Sequence, residues 1–428
     1  MNKLHERLWK KANKVIAGGN MLLSKKPERF LKKYFPVYYK KSKGCKIYTI
    51  DNKVFLDLSL MSVGTCILGY SHEKVNNKVK DAINNGNIST LNSTKDIILA
   101  KMLIKMNPWA GSVKLMRSGG ETLSAAIRIA RAYTGNQKIL FCGYHGWHDW
   151  YLSSNLQNKK NLDKDLMKGL NIGGVPKALK NTSYPFEINN YEKFKKLIKM
   201  NDIAAVVMEV ERNIKPEKKF LLMIKNYCKK NNKVLIFDEC TSGFRESYGG
   251  IYKKYGINPN MVMYGKSLGN GYPITALVGE NKVMSAIKNT FISSTFWTET
   301  IGPTAAIETL KNMKLNKSWQ KISKIGDQIK INILKIAKKN NLQIEISGLR
   351  SIPKINFINK NNEKYKNFIC FEMLKEGILF KDTIYVSLAH NKKVLNKFYN
   401  VLNKVFIKIS NNKIKENIYS IKDFRRLN

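Results

Sequence analysis

Residues Val234–Glu280 read VLIFDECTSGFRESYGGIYKKYGINPNMVMYGKSLGNGYPITALVGE. The first run, Val234 to Phe237, is apolar and β-branched and stops at the paired acids Asp238 and Glu239. A strand covered on both faces of a parallel sheet reads as such a continuous run, with its charge delivered at the carboxyl end. A second run, Met261 to Tyr264, stops at Gly265-Lys266 and continues into a Ser-Leu-Gly-Asn-Gly loop. The intervening residues leave room for a helix-containing crossover between two parallel strands. Two strands of one sheet are therefore expected to bring an acid and an amine to the same edge. In open α/β sheets that edge is where ligands sit.

A lysine so placed has a chemical use. Its amine forms a Schiff base with an aldehyde, and pyridoxal 5′-phosphate (PLP) is the common aldehyde cofactor; an aspartate on the pyridinium nitrogen keeps the ring an electron sink. Taken alone, Lys266 reads more simply as a surface lysine and Asp238 as a helix cap, because buried lysines are rare.

The wider segment resembles the core of the class III (fold-type I) PLP-dependent aminotransferases, in particular the branch of glutamate-1-semialdehyde 2,1-aminomutase. The family pattern is a strand ending in Asp-Glu, a Thr-Gly-Phe-Arg turn, and a Gly-Lys strand end followed by glycines. Here these read DECTSGFR and YGKSLGNGYP, with Ser242 between Thr and Gly and Asn270 where glycine is commoner. The resemblance implies that Lys266 is the Schiff-base lysine and Asp238 the pyridinium partner. It extends over roughly residues 10 to 405, with five motifs in family order.

Upstream, the apolar run Val113 to Met116 enters Ser118-Gly119-Gly120-Glu121, and helical periodicity continues through Ala132. A glycine-rich loop feeding a helix start offers unpaired N–H groups and a positive dipole to an anion, although most such loops merely cap a helix. By resemblance this unit binds the PLP phosphate, with Gly119 and Gly120 as its loop and Gly120 in place of a hydroxyl residue. The strand Lys138 to Cys142 precedes Tyr144-His145-Gly146. The resemblance stacks Tyr144 on the cofactor ring and sets His145 beside it; core packing and a structural hydrogen bond are the competing readings. Trp147 and Trp150 shape the pocket or fill the core. The run Ile203 to Val210 is a buried strand whose Glu209 matches the family glutamate near the ring oxygen, with a surface salt bridge as the alternative. Asn155 to Asn190, polar and lysine-rich, reads as a loop over the site.

After the lysine, the family places a threonine before a helix start, reaching the partner subunit's PLP phosphate. Counting back from Pro303 selects Thr298 and the local wording selects Thr295; both stand. The segment KIYTIDNKVFLDL reads as a hairpin turning at Asp51-Asn52. By resemblance the following stretch lines the substrate pocket at Ser62 and Val63. The aminomutase branch has an arginine for a substrate carboxylate after the early Gly-Gly, and this chain has none between Gly19 and Arg29.

Composition bounds the rest. A chain of 428 residues exceeds what one core usually serves, and 43% hydrophobic content is that of a globular protein. No apolar run approaches membrane-spanning length, and the N-terminus, read as an amphipathic helix with Leu4, Leu8, Val15 and Ile16 near one face, lacks a leader's continuous apolar segment. A cytoplasmic enzyme is expected. Six scattered cysteines, without a CxxC pair, offer neither a metal site nor a disulfide framework. The net charge of +45 suggests polyanions, but the lysines are spread along the chain with asparagine and isoleucine, as an AT-rich coding sequence would produce; nucleic acid is not an expected partner.

The expectation is an α/β fold-type I PLP-transferase: a large PLP-binding domain over 71–312, with a mostly parallel sheet flanked by helices, and a smaller α+β domain from 1–70 and 313–428. The expected function is amino transfer from a small amino donor to a keto or aldehyde acceptor, such as a surface-glycan or secondary-metabolite precursor, by a homodimer with shared sites. A 2,1-aminomutase is the near alternative and a non-catalytic, polyanion-binding scaffold on this fold the distant one.

Overall fold

The computed structural model describes residues 3–163, 170–358 and 361–414. The chain divides into two compact units, with boundaries at His72/Glu73 and Trp319/Gln320.

The central unit, Glu73–Trp319, is built on a seven-stranded sheet. Its spatial order is Ser112–Met116, Thr275–Gly279, Met261–Tyr264, Val234–Glu239, Ile203–Glu209, Lys138–Cys142 and Ser183–Pro185. The last five run parallel to one another, whereas Thr275–Gly279 is antiparallel to both of its neighbours. The run Val234–Glu239 is buried at every position, as are Ile203–Glu209 and Met261–Tyr264. Continuous apolar runs are what such two-sided burial requires. Register pairs Glu209 with Asp238 and Asp238 with Met263, so the three share one face of the sheet. The helix Gly119–Thr134 covers that face, its Leu123, Ala126, Ile127 and Ala130 packing with Val207, Ile236 and Met263. Side chains alternate along a strand, so Glu239, level with Tyr264, belongs to the opposite face.

Asn155–Asn190 departs from a simple loop. Ser183–Pro185 adds a parallel edge strand, Leu162 and Phe186 are buried, and 164–169 lie outside the described residues.

In the other unit the expected hairpin forms from Lys46–Thr49 and Val54–Asp57, turning through Asn52 at φ 65°. Tyr39–Lys43 and Ile378–Leu379 complete a four-stranded sheet. Ile344–Ser347 and Lys354–Phe357 form a separate antiparallel pair. The segment IYVSLAH joins no ladder; its amides bond instead to the carbonyls of Ser59, Ser351 and Ile67. The first helix, Lys3–Val15, buries His5, Trp9 and Ala12 and leaves Val15 72% exposed. The expected Leu/Val stripe is thus rotated, because His5 is drawn inward by Asp51, at 3.1 Å. No described helix is long and apolar enough to cross a membrane.

Candidate active site

Lys266 follows its strand after a single glycine, Gly265, in a left-handed conformation with φ 43°. A side chain rarely adopts that backbone, and such strain persists where the surroundings impose it. Here the half-buried amine donates to Thr241 Oγ1 at 2.6 Å, the turn being closed by Leu268 N on Gly265 O at 3.0 Å. Asn270, in the glycine position, is also left-handed at φ 47°. Asparagine tolerates that region better than other side chains, so the departure from glycine keeps the loop.

Asp238 is 3% exposed and engaged on both oxygens. Oδ1 accepts from Cys240 N at 2.9 Å, and Oδ2 lies 2.8 Å from His145 Nδ1. The other imidazole nitrogen, Nε2, is 3.1 Å from the Cys142 carbonyl, which can only accept. Nε2 therefore carries a proton, and a protonated Nδ1 would donate to the carboxylate; the ring is fixed between strand end and acid. Glu209 Oε2 accepts from Tyr144 N at 2.9 Å, while Oε1 pairs with Arg212 at 2.9 Å. Gly143, at φ 104°, lets the chain turn against Glu209, which a Cβ there would meet at 2.8 Å. Tyr144 is half-buried and meets Tyr151 edge-on. Cys240 sits between the two motifs: a Cβ on Gly119 would lie 3.2 Å from its sulfur, and one on Gly265 3.0 Å. Desolvation pushes its thiol up to about 11, with the nearby Lys266 amine opposing the shift.

At the helix start, Glu121 Oε2 accepts the N–H groups of Arg117 and Ser118, both at 3.2 Å. Its Oε1 accepts from Trp297 Nε1 at 2.9 Å. Arg117 reaches the same region, pairing with Glu299 at 2.7 Å and donating to the Trp297 and Glu299 carbonyls. The Thr295–Thr298 turn is thereby tied to the Gly119–Thr134 helix. Thr295 and Thr298 are both exposed, and the Thr298 hydroxyl donates to the Thr295 carbonyl at 2.8 Å.

Lys266, Asp238, His145, Glu209, Tyr144, Gly119 and Gly120 thus belong to one sheet edge and its loops. Ser62 and Val63 lie in the other unit, within four successive left-handed residues, Met61 to Gly64. Asp57 holds that turn, accepting from Ser59 N at 2.9 Å, Met61 N at 3.2 Å and Tyr70 OH at 2.6 Å. Sequence reading passed over Thr241, Cys240, Arg117 and His148. Only Thr241 had a visible signal, as the threonine of the Asp-Glu-Cys-Thr turn. No group of acids, histidines and cysteines suited to a metal ion occurs among the described residues.

The family model for class-III aminotransferases matches residues 30–399, and the chain belongs to that family. Its cofactor is PLP. A glutamate-1-semialdehyde 2,1-aminomutase of Wigglesworthia glossinidia brevipalpis is 32% identical, over 96% of this chain and 99% of its own. A 3-aminobutyryl-CoA aminotransferase of Cloacimonas acidaminovorans is 27% identical over 91% and 97%. The FumI protein of Sphingopyxis sp. MTA144 shares the fold, with a TM-score of 0.87 at 22% identity over 97% of this chain and 98% of its own. The residues present suit the cofactor: an amine and a carboxylate at one edge, and a side-chain-free helix start within reach of the same cysteine.

Proposed function

We propose that this aminotransferase moves an amino group from a small amino donor to a keto or aldehyde acceptor, as a cytoplasmic homodimer. Bound PLP supplies an aldehyde that takes up amines and a protonated ring that draws electrons from the adjoining carbon. Lys266 is the amine that would hold the cofactor's aldehyde carbon, and when free it would accept and return the proton at the substrate carbon. Its bond to the Thr241 hydroxyl gives the amine a fixed starting position. Asp238 would hold the ring nitrogen protonated, with His145 orienting the carboxylate. Tyr144 and Glu209 would hold the ring, and Gly119 and Gly120 would receive the phosphate. The observation carrying this reading is the Asp238–His145 pair on the face shared with Glu209, beside a lysine held in a strained turn.

Ser62 and Val63 are assigned to substrate, their shape set by the Asp57-held turn. The dimer is inferred from the large apolar side chains left at the surface, Phe291 at 88% exposure ahead of the Thr295–Thr298 turn and Phe296 at 72% within it. One of the two threonines would meet the phosphate of the partner subunit, a C₂ exchange in which each subunit lends what it receives. A monomer with full activity at micromolar concentration in light scattering removes this part of the reading.

The second reading, a 2,1-aminomutase, is favoured by the 32% identical relative of that name. One experiment separates the two. The holoenzyme is incubated with a panel of amino donors and keto or aldehyde acceptors, and separately with glutamate-1-semialdehyde alone. Net transfer, with donor consumed as acceptor is aminated, is the expected result. Isomerisation of the semialdehyde with no net transfer would instead establish the aminomutase.

A further inference from the structure

Gly120 is the second residue of the Gly119–Thr134 helix, and the structure shows what fills the place its missing side chain would take. A Cβ on Gly120 would fall 2.4 Å from His148 Nδ1 and 2.5 Å from its Cε1. The imidazole therefore stands in the volume that a side chain at 120 would take. The opposing turn also packs against this point, since a Cβ on Gly146 would lie 3.3 Å from the Gly120 Cα. His148 Nδ1 is shielded from solvent and has no hydrogen-bond partner among the described residues. A buried polar atom left unpaired is costly, and in native proteins it usually signals a ligand or water. The ring is held by stacking on Trp147, with centroids 4.5 Å apart. Burial lowers its basicity, while Glu121 and Asp149 act in the opposite sense. Glu121 is directed elsewhere, its two oxygens taken by Trp297 Nε1 and by the Arg117 and Ser118 amides.

We infer that His148 is a phosphate-binding residue for PLP in this chain, its Nδ1–H replacing the hydroxyl that Ser or Thr at position 120 would provide. Gly120 and His148 are then one device: the glycine makes room and the imidazole fills it with a donor. The helix start adds unpaired N–H groups and its dipole to the same anion. The inference rests on the cofactor assignment but not on the transamination reading.

The test measures cofactor recognition without turnover. The full-length chain, depleted of PLP with hydroxylamine, is titrated with PLP and with pyridoxal, which lacks the phosphate, following tryptophan fluorescence. His148→Ala should weaken PLP about ten- to a hundredfold, the loss expected for one hydrogen bond to a charged acceptor, and leave pyridoxal unchanged. His148→Asn, which keeps an N–H near the Nδ1 position, should stay within a few-fold of the parent. The double variant His148→Ala/Gly120→Ser should recover much of the PLP affinity, as a merely structural histidine would not allow. Equal losses for PLP and pyridoxal, or PLP affinity within twofold of the parent in His148→Ala, overturn the assignment. Should His148→Ala fail to fold, the PLP-to-pyridoxal ratio of His148→Asn against His148→Phe decides by the same criterion.

Discussion

The two faces of the Val234–Glu239 strand carry adjacent carboxylates with opposite fates. Asp238 points to the face covered by the Gly119–Thr134 helix and meets His145 at 2.8 Å. Glu239 points to the other face, where it is fully buried, accepts from the Ser242 hydroxyl, and takes the Tyr252 amide at 3.0 Å. Tyr252 OH and Tyr264 OH both donate to Asn107, at 2.5 and 2.8 Å, and Trp109 Nε1 donates to Tyr252 at 3.1 Å. One face thus holds its acid against a titratable ring at the edge of the sheet. The other closes around its acid with hydroxyls and amides. Burial lifts Glu239 to about 7, Ser242 and the Tyr252 amide working against the shift. The difference teaches that alternation, and not acidity, assigns the chemistry: one residue's offset places a carboxylate in the reaction or under the floor.

The largest expected effect tests the reactive face itself. Lys266→Ala should abolish turnover, and borohydride should no longer fix the cofactor covalently to the chain. Thermal unfolding should stay near that of the parent, since the left-handed turn survives. Full covalent labelling of this variant would assign the chemistry to another lysine.

Next in size is Asp238→Asn. The amide preserves shape but cannot hold a ring nitrogen protonated, so turnover should fall by orders of magnitude with PLP still bound. Glu239→Gln provides the contrast, with turnover within a few-fold of the parent. If the two variants lose activity alike, the assignment by face is wrong.

Much of this site was legible because strands write plainly. The buried runs before Asp238, Glu209 and Lys266 are continuous, and each ends in a single ionisable group or a pair. The resemblance singles out Asp238, but the strand pattern alone does not choose between the adjacent acids, since both carboxylates suit a strand end. Nor could position 120 be completed from sequence: the ring that fills it comes from His148, beyond a turn at Gly146, and depends on loop geometry that no periodicity encodes. The N-terminal helix misled for a similar reason, since His5 is buried through a partner 46 residues away.

On the closed face, Asn107→Ala should leave two buried tyrosine hydroxyls without their acceptor. A lost partner costs about 1–3 kcal/mol per buried group, so chemical denaturation should show a clear loss of stability with little change in turnover. An activity loss that exceeds the stability loss would mean that this network reaches across the sheet to the reacting side.

The smallest effect is the most diagnostic of the closed face. Because the folded chain keeps the Glu239 proton up to about 7, against 4.5 for the ordinary group, the folded state binds more protons than the unfolded state between those values. Stability then falls as pH rises through that window, because ionisation favours the unfolded chain there. Below pH 4.5 both states hold the proton, and above 7 neither does, so the contribution is flat outside it. Glu239→Gln removes the titration while keeping its one carbonyl oxygen as acceptor for the Tyr252 amide, the new NH2 donating to the Ser242 hydroxyl instead of accepting from it. Denaturant midpoints at a series of pH values from 4 to 8 should therefore show a shallower decline in the variant than in the parent. Parallel curves would mean that Glu239 is ionised throughout, its hydrogen bonds outweighing its burial. The two acids would then differ in position alone.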